Sequence, residues 1–106
     1  MANYKLLVTG AGAISTTTTA LTSEVELCAI LIHVSAAPVT AENLVISLDA
    51  IDGAAYDTVL ATVAMAGVTD LAVTDIGIPL HIGDALKVTW TNTDARTVGV
   101  RLCLED

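Results

Sequence analysis

The chain contains no phenylalanine, only three aromatic residues (Tyr4, Tyr56 and Trp90), two prolines and four basic residues. Each shortage excludes something. No cluster of Lys and Arg exists to follow a phosphate backbone, and the formal net charge of -8 repels one, so nucleic acid is not expected as a partner. Scarce aromatic rings leave few of the stacking platforms that single-strand binders and most glycan-binding faces use. No apolar run approaches the ~20 residues of a membrane-spanning helix, because Glu, Asp, Thr or Gly interrupts each one. The first apolar run, Leu6, Leu7 and Val8, is shorter than the ~7–15 residues of a secretory signal core. The chain therefore reads as soluble and made in the cytoplasm. Two cysteines, Cys28 and Cys103, lie far apart in sequence and match no metal-binding spacing.

Apolar residues make up 54% of the 106 positions against 15% charged, which places the chain among sequences that fold, and its length fits one domain over residues 1–106. Val, Ile and Thr supply 35 of those residues, a composition that favours β-strands. Strand signals bounded by Gly, Pro, Asn or Asp recur about every ten residues, the spacing of an antiparallel sandwich or barrel. Eight strands are expected, at 4–9, 16–21, 25–34, 44–51, 58–64, 71–75, 85–91 and 97–104. The fold class is all-β, and residues 1–22 are expected to form either an N-terminal arm or an edge strand.

Alternation is clearest near the C-terminus. Leu86, Val88 and Trp90 share one face with Lys87 and Thr89 on the other, and Val98, Val100, Leu102 and Leu104 alternate with Gly99, Arg101 and Cys103. Turn residues 92–95 between them predict a hairpin. Residues 44–51 alternate too, and Asp52–Gly53 supplies a tight-turn signal after them. The segment ELCAILIHV differs, because period two puts Leu27, Ala29 and Leu31 on one face and Cys28, Ile30 and Ile32 on the other, both apolar. A two-layer sandwich buries one side of each sheet, so such a strand needs another layer, a covering loop or a second subunit. Leu27, Cys28, Ile30 and Ile32 are therefore candidate interface residues. The uncharged run Thr16, Thr17, Thr18 and Thr19 joins them as an edge able to pair with a neighbour.

The chemical motifs give way to simpler readings. KLLVTGAGAIS resembles the opening of a nucleotide-binding βαβ unit, but Ser15 stands at the third glycine position and the threonines after it are poor helix formers. A glycine-rich turn between strands is the expectation. No nucleophile elbow selects a serine to work with His33 or His81, and Asp57-Thr58-Val59 lacks the glycine of an aspartic-protease loop. Asp49, Asp52 and Asp57 flank one turn and have oxygen atoms suited to calcium, yet no calcium-loop spacing accompanies them. No cofactor, metal or catalytic residue is expected, and both cysteines are expected to be free thiols.

From residue 44 onward the sequence resembles small β-sandwich virion proteins of tailed bacteriophages. The pattern falls on Leu44, Ile46, Leu48 and Asp49, then Asp52 and Gly53, Tyr56 to Thr58, Ile78 to Leu80, Gly83 and Asp84, and finally Leu86, Val88, Trp90, Asn92 and Asp94. The resemblance implies a jelly-roll-like domain that decorates or cements a capsid, located on the virion surface after synthesis in the host cytoplasm. It further implies the major capsid protein as partner and a homodimer or homotrimer. A rival expectation of another class is a ligand- or carbohydrate-binding sandwich, such as a tail-fibre tip or receptor-binding accessory. That reading requires an exposed aromatic ring, so the position of Trp90 discriminates between them.

Overall fold

The computed structural model describes residues 3–106. Its strands are β1 (Asn3–Gly10), β2 (Ile14–Thr17), β3 (Val25–Val34), β4 (Asn43–Asp49), β5 (Thr58–Ala64), β6 (Asp70–Val73), β7 (Ile78–Leu80), β8 (Ala85–Trp90) and β9 (Val98–Glu105). Among the described residues there is no α-helix, only a single 3-10 turn at Ala54–Tyr56. One sheet runs β1-β9-β3-β6, with β7 pairing the other half of the same β3 edge, and the second runs β2-β8-β4-β5. All pairings are antiparallel.

This order has a simple origin. The pairs β1 with β9, β2 with β8, β3 with β6 and β4 with β5 are the rungs of one long antiparallel hairpin. Wrapping that hairpin brings β9 onto β3 and β8 onto β4, which closes the two sheets over each other. The result is a jelly roll, with β7 as an added short strand. Between the sheets lies a single apolar layer that includes Leu27, Ile30, Leu44, Ile46, Leu86, Trp90, Leu102 and Leu104.

Strands β3 and β5 keep their expected bounds, whereas several neighbours differ for identifiable reasons. The expected strand at 44–51 stops at Asp49 because carboxylates capture the next two amides: Asp57 accepts from Ala50 N–H and Asp84 from Ile51 N–H. The expected strand at 16–21 begins earlier, at Ile14, whose side chain is buried opposite Trp90. Strands β8 and β9 form no hairpin. They lie in different sheets, and the connection between them crosses the sandwich with Asn92 at φ 49 and Ala95 at φ 53. The Asn92 side chain holds that crossing, donating to the Gly12 and Arg96 carbonyls and accepting from Arg96 N–H.

The largest correction concerns β3. Register shifts between Leu27 and Ala29, so Cys28 is the extra residue of a β-bulge and the period-two phase reverses there. Leu27, Ile30 and Ile32 consequently share the inner face and are buried in the core, while Cys28, Ala29 and Leu31 are half-buried on the outer face and His33 is exposed. Three of the expected interface side chains are thus covered from within the chain.

Candidate functional site

The two outer faces of the sandwich differ in chemistry. Across the four-stranded sheet one register row reads Ser15, Thr89, Val45 and Thr62, mainly small hydroxyl side chains. The corresponding row of the other sheet reads Leu7, Arg101, Leu31 and Ala72 from β1, β9, β3 and β6. Its neighbour reads Thr9, Gly99, His33 and Asp70. Gly99 puts no side chain over the middle of the sheet, and the two rows frame an open depression of about 720 Å³.

The floor and rim of that depression have separate origins. Leu7 is exposed because β1 carries three apolar residues in succession; Val8 takes the core side, and Leu7 is left 64% exposed. Leu31 and Ala72 extend the same apolar strip. At one end His33 Nδ1 lies 2.7 Å from Asp70 Oδ1, both exposed, in an ion pair when the imidazole is protonated. Arg101 stands in the strip itself. Lys5 points from the same face one row further along β1, so two of the chain's four basic side chains lie here.

Next to the strip, Cys28 Sγ donates to the Cys103 carbonyl at 3.1 Å. Partial burial, followed by the charge of Glu105, pushes the Cys28 thiol above its ordinary pKa. Both cysteines are free.

At the two ends of the sandwich carboxylates act as loop fasteners. Asp94 accepts hydrogen bonds from Thr40 N–H, Thr40 Oγ1 and Val39 N–H, and these bonds, led by the Thr40 amide, hold its carboxyl below the usual range. At the opposite end the Glu24 carboxylate lies 2.8 Å from His81 Nδ1 and raises that imidazole's pKa. Asp57, one of the three carboxylates flanking the turn after β4, is committed to Ala50 N–H. Among the described residues no three His, Cys, Asp or Glu side chains converge as a metal site. Gly10 closes β1 and the Gly-rich segment turns directly into β2, a strand–turn–strand arrangement.

No protein-family model matches the chain, and no curated protein is significantly similar to it.

The expected interface residues scatter. Thr16 and Thr17 are exposed on β2, an edge strand; Thr18 is half-buried and Thr19 exposed beyond it. Thr18 is tied inward, since its Oγ1 accepts from Leu86 N–H at 3.0 Å. Residues 1 and 2 of the expected 1–22 arm lie outside the described residues, and the rest supplies β1 and β2, one edge of each sheet. Of the expected β3 residues Cys28 turns its side chain to the depression-bearing face and Ile32 lines the depression while its side chain is buried; Leu31 lies within the expected strand segment, and Leu7 was not expected. The triplet Leu6, Leu7, Val8 is the signal that finds Leu7, because consecutive strand residues cannot all face the core.

Proposed function

We propose that this chain is a non-enzymatic structural protein of a bacteriophage virion that binds the capsid exterior and stabilises it, as a decoration or cement protein. The observation that carries the reading is the apolar strip of Leu7, Leu31 and Ala72 running across the strands of one sheet; the other exposed apolar side chains, Val39, Ile51, Tyr56, Val59 and Ile82, lie outside it. Exposed apolar surface rimmed by polar groups marks a contact face. Lys5 and Arg101 beside it suit an acidic patch on the major capsid protein, and the net charge of -8 keeps the remaining surface from self-adhesion. Jelly rolls recur in viral shells, an analogy of fold that agrees with this reading without carrying it.

The mechanism is mechanical. A contact of about 800 Å² per partner excludes water from the strip. Each bound copy then favours the assembled shell over its separated subunits by mass action. A homodimer or homotrimer multiplies the effect, because linked contacts raise the effective concentration of the second. Thr16 and Thr17, on an edge strand without a charge, are the positions for contact between copies.

Trp90 is 2% exposed and lies within the core, so the carbohydrate-binding alternative loses that anchor and would rest on the exposed rings of Tyr4 and Tyr56. For the capsid reading the test is removal of the gene. Particles without the protein are expected to lose their DNA at lower temperature, and adding the purified chain restores resistance. Particles as heat-resistant as wild type that fail to bind the added chain would refute the proposal.

A further inference from the structure

Cys28 and Cys103 are 75 residues apart in sequence, yet one thiol rests on the other residue's own carbonyl, 3.1 Å away. The β3 bulge makes this happen. Leu27 pairs with Leu104 and Ala29 with Cys103, so Cys28 and Ala29 together face Cys103, and the cysteines stand on the same outer face. Both are half-buried and line one shallow depression with Lys5, Arg101 and Glu105. Ala29 is the register partner of Cys103 and Cys28 is the bulge residue beside it, so the 3.1 Å contact of Cys28 Sγ with the Cys103 carbonyl is what brings the first sulfur to the second residue.

We propose that Cys28 and Cys103 form a redox-closable pair, joining in an intramolecular disulfide across β3 and β9 when the chain meets a small-molecule disulfide such as oxidised glutathione. The exchange balances. One cysteine thiolate attacks the S–S bond of glutathione disulfide, releasing one glutathione thiolate and leaving a mixed disulfide. The second cysteine thiolate then attacks the protein sulfur of that bond and expels the other glutathione. Two protein thiols lose two protons and two electrons, and one disulfide is reduced to two thiols.

The position gives the bond a large effect. β3 and β9 are neighbours at the centre of the five-stranded sheet, and the link closes most of the chain into one loop. Long closed loops restrict the unfolded chain most in the chain-entropy account. The thiolate is the attacking species, and burial and Glu105 push the Cys28 thiol up, so closure accelerates as pH rises. The inference is independent of the capsid reading, since it concerns the purified chain alone. If that reading also holds, lysis is the moment when the pair passes from a reducing to an oxidising medium.

The experiment incubates the purified, folded chain with oxidised glutathione at alkaline pH and follows intact mass, free thiols and melting temperature. The expected product is a monomer about 2 Da lighter with no free thiol, a linked Cys28–Cys103 peptide, and a melting temperature raised by roughly 5–15 °C. Dithiothreitol reverses all three changes, and neither Cys28→Ser nor Cys103→Ser gains the lighter mass or the higher melting point. Two persistent free thiols, glutathione retained on both cysteines, or covalent dimers in place of the lighter monomer would each overturn the proposal.

Discussion

Replacing Asp84 by alanine is expected to lower unfolding free energy by about 3 kcal/mol and the melting temperature by roughly 12–20 °C. The side chain is 3% exposed, and its two oxygens are fully engaged: Oδ1 accepts from Ile51 N–H and Oδ2 from His81 N–H, both at 2.9 Å. Its backbone is committed as well, donating to the His81 carbonyl and accepting from Leu21 N–H. One residue thus joins the end of β4, the turn before β8 and the segment after β2. Alanine leaves the two side-chain-bound amides without acceptors, a penalty larger than the net worth of the lost bonds. The adjacent Gly83, at φ 93, has no room for a side chain, because a Cβ there would lie 2.8 Å from the Ile51 side chain. Asp84→Asn keeps the shape and one acceptor, so an intermediate loss is expected. Chemical denaturation followed by circular dichroism reads both variants, and a loss under about 1 kcal/mol for alanine would contradict this role.

Trp90→Ala carries the second large effect, a loss of about 3–5 kcal/mol. The indole fills the inner face of β8 opposite Ile14 and belongs to the main core cluster. Its Nε1 nevertheless has no hydrogen-bond partner among the described residues, so the ring is held by packing alone. Phenylalanine retains most of the packing and deletes the unpaired N–H, and Trp90→Phe is expected to cost only about 1 kcal/mol. Equal losses for the two variants would contradict this account of how the ring is held. As the only tryptophan, Trp90 also reports directly: its fluorescence should resist acrylamide in the folded chain and become quenchable on unfolding.

What the sequence shows and what it conceals follow from the same physics. Alternation in Leu86, Val88 and Trp90, and in Val98 to Leu104, identifies the core-facing side chains correctly, as their burial shows. Alternation does not say which sheet a strand joins, because the inner faces of both sheets look alike, and so two crossing strands read as a hairpin. The bulge at Cys28 is invisible to a period-two count, yet it decides which half of β3 faces outward. β7 escapes notice because it is three residues long with Pro79 at its centre, a residue that strands accept only at an edge. The end of β4 depended on carboxylates from Asp57 and from Asp84, the latter 33 residues away in sequence from the amide it captures.

The candidate site was legible in part. An apolar surplus on β3 signals a covered surface, and Leu31 and Cys28 do lie outward there. The rest comes from β1, β6 and β9, and only the register among four strands assembles Leu7, Arg101, Leu31 and Ala72 into one row.

The most direct test of that face is co-sedimentation of the purified chain with phage heads lacking it, comparing wild type, Leu7→Glu and Thr62→Glu. Both side chains are exposed, so each variant adds one negative charge without disturbing the core, Leu7→Glu on the apolar strip and Thr62→Glu on the opposite sheet. The account predicts that wild type and Thr62→Glu pellet with the heads at saturating stoichiometry, whereas Leu7→Glu, still folded, binds at least about tenfold more weakly. Wild-type chain left in the supernatant, or Leu7→Glu binding as tightly as wild type, would contradict it.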